Sequence, residues 1–240
     1  MTLPLSDRTA VVTGASRGIG AATARALAGA GARVALVARS AGELEALSTA
    51  IGREAFAVPA DLTDGPALDR TVAAIRGTLG GEPDILVNNA GIFRVAPLAE
   101  MPGELFGQTL ELNLVAPFRV MRAFVPGMLR RRSGHVVTIG SIADRHAFSE
   151  NSAYSASKYG LRGMHEVLRA ELRGTGVRAS LISPGAVDTD LWNEAAPDAS
   201  PGRFPPRGEM LTADSVAAAV LYAVTQPAEV NVEELRLRRT

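Results

Sequence analysis

The sequence predicts an α/β fold: a doubly wound parallel sheet of about seven strands with helices on both faces. Three observations predict it. Short apolar runs alternate with longer helical stretches along the whole chain, the order that builds a parallel sheet covered on both sides. A glycine-rich turn joins the first apolar run directly to an alanine-rich helix. And 240 residues, 47% of them hydrophobic, suffice for one large domain with a substantial core.

The first strand is Thr9–Thr13, which opens into Thr13-Gly14-Ala15-Ser16-Arg17-Gly18-Ile19-Gly20 and a helix over 18–30. Glycines allow positive φ and close backbone approach, and a helix N-terminus offers amide donors to a pyrophosphate. The spacing is Gly-x-x-x-Gly-x-Gly, not the commoner Gly-x-Gly-x-x-Gly. With a second strand at Arg33–Ala38, the strand–turn–helix context makes cofactor binding a better reading than a plain structural turn. A helix at Ala41–Ile51, a strand at Ala55–Pro59, a helix over 66–79 and a strand over 84–87 follow. The second half reads as a long helix over 104–131, a strand over 135–139, a helix over 153–173 and a strand over 178–183. Helix Ala213–Val224 and a last strand near 232–237 complete it.

No internal repeat or linker divides the chain, so residues 1–240 read as one domain. Its least regular part is 188–210, where Pro197, Pro201, Pro205 and Pro206 join Gly202 and Gly208. A loop of this length is often functional, and a substrate lid is expected there. In an open α/β sheet ligands sit beyond the C-terminal strand ends, where the distinctive residues of this chain fall.

Tyr154 and Lys158, in Tyr154-Ser155-Ala156-Ser157-Lys158, share a helix face by their i, i+4 spacing. A phenol is a poor acid or base near neutrality, its ordinary pKa being about 10. A lysine ammonium one turn away is expected to favour the phenolate and lower that value, fitting the pair for proton transfer. Ser141, on the loop after another strand, is placed to bond the same substrate oxygen.

Taken in order, Thr13–Gly20, Asp61-Leu62, Asn88-Asn89-Ala90-Gly91, Asn113, Ser141, Tyr154, Lys158 and Pro184-Gly185 closely resemble the short-chain dehydrogenase/reductase family over nearly the whole chain. The resemblance implies a one-domain, Rossmann-like nicotinamide enzyme that moves hydride between its cofactor and an alcohol or carbonyl substrate, without a metal. It implies catalytic roles for Asn113, Ser141, Tyr154 and Lys158, with Asn113 holding a water through its backbone. It implies cofactor contacts from Gly14, Ser16, Arg17, Gly18, Ile19, Gly20, Asp61, Leu62, Asn88, Ala90, Gly91, Tyr154, Lys158, Pro184, Gly185, Val187 and Thr189. Of the asparagines after the fourth strand, Asn88 is the one expected to line the cofactor. Asp61 is expected at the adenine, although a helix N-cap is an alternative role that Thr63 or Asp64 could also fill.

Cofactor choice follows from charge. An acid near the end of the second strand selects NAD by bonding the ribose hydroxyls, whereas arginine accommodates a 2′-phosphate. Here that strand ends Val37-Ala38-Arg39-Ser40. With Arg39 and Arg17 present and no acid, NADP is expected over NAD. Phe93, Arg94, the stretch 142–148 and Trp192 are candidate pocket residues, with Arg94, Arg145 and His146 able to meet an anionic group. The short tail Asn231-Val232-Glu233-Glu234-Leu235-Arg236-Leu237 resembles members acting on 3-hydroxy acids or 3-oxoacyl groups.

Composition excludes several classes. Twenty-five basic and 25 acidic residues cancel, so bulk charge draws the chain to neither nucleic acid nor membrane. Without cysteine there is no disulfide framework, thiol nucleophile or cysteine metal site. His135, His146 and His165 form no metal motif. The N-terminal residues lack a basic start and apolar core, and no apolar run reaches the ~20 residues that span a bilayer. A cytoplasmic protein is the expectation. Leu110, Leu114, Phe118, Met121, Phe124, Leu161, Met164 and Leu168 place apolar side chains around two long helices, and a homodimer or homotetramer through them is expected, closed symmetry being common.

Overall fold

A computed structural model of the chain describes all residues except Met1, Ala196, Ser200, Pro201 and Arg203, so Pro201 of the expected lid lies outside the described residues. The strands are β1 (Thr9–Thr13), β2 (Arg33–Ala38), β3 (Ala55–Pro59), β4 (Ile85–Asn88), β5 (Gly134–Ile139), β6 (Val177–Pro184) and β7 (Glu234–Leu237). The helices between them are α1 (Gly18–Gly29), α2 (Ala41–Ile51), α3 (Gly65–Leu79), α4 (Gly103–Leu110), α5 (Ala116–Arg131), α6 (Ser152–Glu171) and α7 (Ala213–Val224). All strand pairs are parallel, in the order β3-β2-β1-β4-β5-β6-β7.

Period-2 geometry splits each strand between two cores. Val12, Leu36, Val87 and Val137 face one core with side chains of α1, α2 and α7. Val11, Ala35, Leu86 and Val136 face the other with α3 and α5. Strands buried on both faces must be apolar nearly throughout, which is why the sequence shows runs rather than alternation. The chain leaves β1 toward β2 and β3, then returns to place β4 on the other side of β1. Loops diverge at that reversal and open a crevice beyond the strand ends.

The helix expected over 104–131 is not a uniform α-helix. A π turn over Glu111–Val115 separates α4 from α5. Pro117 lacks the N–H that would bond the Asn113 carbonyl four residues earlier, and the extra residue aims Asn113 inward. Asn113 Oδ1 accepts from Ile92 N at 2.8 Å, while its Nδ2 donates to Ile92 O at 2.9 Å and Ser157 Oγ at 3.1 Å. One side chain thereby ties the loop after β4 to α6. Among the described residues, no helix is long and apolar enough to cross a membrane.

Candidate active site

Residues following β1 through β6 line one cleft of about 1060 Å³. Its floor is the glycine turn. Gly14 has φ +64°, and a Cβ there would lie 2.8 Å from Ala90 Cα, so only glycine fits. Asn89 Nδ2 bonds Thr13 O and Gly14 O at 2.9 and 3.2 Å, and Thr13 Oγ1 accepts from the amides of Asn89 and Ala90. Asn89, rather than Asn88, therefore reaches the cleft. Asn88 is the last residue of β4, is 3% exposed and lies outside the cleft wall. Gly20 also lies outside the cleft wall. A Cβ on it would strike the Gly14 carbonyl, so it serves close packing of turn and helix.

Helix α1 starts with Arg17 in an extended conformation, without a side-chain cap and without an acid in its first turn. Its first amides are left to a ligand, and the helix dipole favours an anionic one. This donor set fits the pyrophosphate of a dinucleotide. Ser16, Arg17, Gly18 and Ile19 of the turn, Ala90 and Gly91 after β4, and Pro184, Gly185, Val187 and Thr189 after β6 line the same cleft. At its other end stand Ala38, Arg39, Asp61 and Leu62. Arg39 and Arg17 are exposed, and Arg17 lies 4.0 Å from Asp190. Asp61 accepts from Thr63 Oγ1 at 2.7 Å and Thr63 N at 2.9 Å, bonds that hold its carboxyl below the ordinary value. The cap of α3 is Asp64, which accepts from Ala67 N at 3.1 Å.

Ser141, Tyr154 and Lys158 meet on one wall of this cleft. Ser141 follows β5 in an extended conformation, with Oγ accepting from Ala143 N at 3.1 Å. Tyr154 stands in the first turn of α6 and Lys158 one turn later. The expectation that Lys158 lowers the Tyr154 pKa is corrected here. Burial pushes the phenol up to about 12, with the Ser141 hydroxyl pulling partly back. Burial likewise pulls Lys158 down to about 8. Its Nζ donates to Ile139 O at 2.9 Å and lies 5.7 Å from the Tyr154 ring centroid, so desolvation outweighs its attraction for a phenolate. Asn113 is not in the wall; its side chain is committed to Ile92 and Ser157 as described, which leaves only its backbone to act.

Sequence reasoning missed Asp144. It is fully buried, accepts from Arg145 Nε at 2.7 Å and from Ser183 Oγ at 2.6 Å, and its charge raises both Tyr154 and Lys158. An acid three residues past Ser141 was the only signal. Phe204 was missed as well; it joins Phe93 and Trp192 in the wall. Arg94 is there too, paired with Glu194 at 3.0 Å. Arg145 and His146 are not. They line a second cavity of about 430 Å³ with Ile142, Arg236 and Arg238, because the turn over Ile142–Asp144 carries them behind Ser141 toward β7.

A family model described as short chain dehydrogenase matches residues 8–200. The chain is 37% identical over 237 residues to glycine betaine reductase ATRR of Emericella nidulans, covering 97% of this chain but only 19% of that much longer protein. It is 34% identical to the 3-oxoacyl-(acyl-carrier-protein) reductase FabG of Escherichia coli, over 91% of this chain and 90% of the relative. Among solved structures, a metagenomic short-chain oxidoreductase in complex with NADP superposes with a TM-score of 0.85, at 35% identity and 99% coverage of both chains.

Proposed function

The chain belongs to the short-chain dehydrogenase/reductase family, whose members are oxidoreductases acting on alcohols and carbonyls, and from that premise we propose an NADP-dependent enzyme that interconverts a carbonyl compound and a secondary alcohol. The observation that carries the proposal is the meeting of Ser141, Tyr154 and Lys158 on one wall of the cleft that the open N-terminus of α1 also faces.

A bound nicotinamide supplies or accepts the hydride; the remaining work falls to this chain. A phenol pushed up to about 12 keeps its proton through the neutral range, so Tyr154 is poised to give that proton to the carbonyl oxygen in reduction. Ser141 orients the same oxygen and donates to it as negative charge develops. Lys158 would hold the nicotinamide ribose, and the Asn113 backbone a water that returns protons from solvent. Gly14, Ser16, Gly18, Ile19, Ala90, Gly91, Pro184, Gly185, Val187 and Thr189 would hold the dinucleotide, Asp61 and Leu62 its adenine, and Arg17 and Arg39 its 2′-phosphate. Residues 188–210 would act as lid of a single catalytic domain, and the assembly would be a homodimer or homotetramer. A 3-oxoacyl substrate is a second reading, supported by the Escherichia coli relative's name and the tail resemblance.

Replacing Tyr154 with Phe tests the proton transfer. Turnover should fall at least ~10²-fold, on the scale of general acid–base catalysis, while NADPH affinity measured by fluorescence titration stays nearly unchanged. Wild-type turnover in the purified variant would reject this mechanism.

A further inference from the structure

Aromatic residues are only 5% of the chain, yet five of them, the proton donor included, line this cleft. Phe93, on the loop after β4 and 5% exposed, packs its ring edgewise against Tyr154, with centroids 4.9 Å apart and planes at 88°. Trp192 lies 4.8 Å and Phe204 6.4 Å from Phe93, and they are 5.5 Å from each other. Both come from the segment after β6, within which Arg207 donates to the side chains of Asp188 and Asn193 and to the Thr189 carbonyl. Phe148 adds a fifth ring to the cleft wall from the loop after Ser141, and it is 45% exposed. Packing accounts for Phe93, which is buried. Phe148 is exposed, and Trp192 and Phe204, although they pack on Phe93 and on each other, stay partly exposed within the cleft wall.

Charge narrows the choice. Of the arginines lining the cleft, Arg17 and Arg39 belong to its cofactor side and Arg94 is held by Glu194, while Arg145 and His146 belong to the second cavity. A substrate carboxylate buried beside Tyr154 would meet no unpaired cation in Arg94, Arg145 or His146, and Lys158, whose Nζ donates to Ile139 O, is taken by the nicotinamide ribose under the proposed function; an unpaired buried charge is costly. From these observations, and resting on the reading under Proposed function, we infer that the substrate is an uncharged carbonyl compound, or its alcohol, with an aromatic ring attached directly to the reacting carbon. The ring belongs next to that carbon because the aromatic wall begins at Tyr154 itself, the residue that marks the carbonyl oxygen: Phe93 packs edgewise on its ring, and Trp192 and Phe204 continue the wall from Phe93. Aromatic groups meeting at edges and tilted faces gain beyond the area they bury, so the wall distinguishes a phenyl ring from a saturated ring of the same size.

Two readouts test this independently. The first is kcat/KM with NADPH for acetophenone, methyl cyclohexyl ketone and 3-oxobutanoate. Acetophenone should exceed its saturated analogue by ~5–10-fold, the range of one or two aromatic contacts, and 3-oxobutanoate should be slowest. The second is binding, for which Trp192 is a built-in probe because it is the chain's single tryptophan. Titrating 1-phenylethanol and 1-cyclohexylethanol against its fluorescence should show the same preference without turnover. Phe204→Leu, which keeps apolar bulk but loses the ring, should bring both ratios toward one, with NADPH binding retained as the check on folding. Turnover without a phenyl preference, or a preference unmoved by Phe204→Leu, overturns the inference and leaves the oxidoreductase reading standing. A phenyl preference in binding with no carbonyl reduced by either cofactor supports the ring site and overturns that reading instead.

Discussion

Tyr154 and Lys158 are both shifted toward their neutral forms, by the same cause. Lys158 is buried and Tyr154 half-buried at the end of the sheet, and the Asp144 charge, which favours the protonated form of both, does not offset the loss of water at Lys158. The adenosine end of the cleft differs, being open, with Arg17 and Arg39 in solvent. Arginine–phosphate bonds are weakened there, and one surviving pair suffices for about tenfold discrimination, which needs only ~1.4 kcal/mol. Wild type should therefore bind NADPH about tenfold more tightly than NADH. Ala38→Asp with Arg39→Ala should reverse the order, adding an acceptor for ribose hydroxyls while repelling a phosphate. Titration of both reduced cofactors checks this, and equal affinities in wild type would mean that the arginines are surface charges. At this scale residue types were legible and side-chain directions were not. Asn88 and Asn89 look alike in sequence, yet the sheet buries the first at the end of β4, and the second, just past the strand, bonds the glycine turn.

Between elements, two buried histidines join the layers. His135 on β5 lies 2.8 Å from Ser180 Oγ on β6, and because that hydroxyl donates to Val232 O, the Nε2–H of His135 is the donor. His165 on α6 lies 2.9 Å from Thr138 Oγ1 on β5. The second ring nitrogen of each is buried without a partner. Burial lowers His135 to about 3 and His165 to about 4, aided by Arg178 and His165 in the first case and Arg169 in the second. The unfolded chain, with ordinary values near ~6.5, then binds more protons than the folded one below that pH. Stability should be unaffected by these groups above ~6.5 and decline as pH falls toward about 4, by at most roughly 1.4 kcal/mol per pH unit for each histidine. Urea midpoints at about pH 7 and about pH 5 measure the decline. His135→Gln with His165→Asn, which keep a donor near each bonded nitrogen, should flatten it; an unchanged slope would assign it to other groups. The π turn of the same layer was partly legible, since Pro117 stands four residues after Asn113. Its inward aim was not, because it depends on Ile92 and Ser157, distant in sequence.

For the whole molecule, the two long helices divide their apolar residues. Met121, Phe124 and Leu161 are in the core, whereas Phe118 is 49%, Tyr159 41% and Val167 59% exposed on α5 and α6. Exposed apolar side chains on this helical layer fit the proposed assembly, in which a two-fold axis would bring each set onto its copy. We expect light scattering at micromolar concentration to give a dimer or tetramer mass, and Phe118→Glu to shift it downward. A monomer mass for wild type would reject the proposed assembly.

The sequence by itself determined the alternation of strands and helices, the glycine turn, the spacing of Tyr154 and Lys158 on one helix face, and the absence of an acid after β2. Each is a local property: periodicity, a backbone conformation or a residue type at a fixed offset, written within a few neighbouring positions. Only the tertiary structure decided that Asp144 lies behind Ser141, that Arg145 and His146 face a separate cavity, that Phe204 meets Phe93, and that the Tyr154 pKa rises. Those outcomes depend on groups far apart in the chain and on the water excluded when they pack, and burial is a property of the folded whole that no short window of sequence contains.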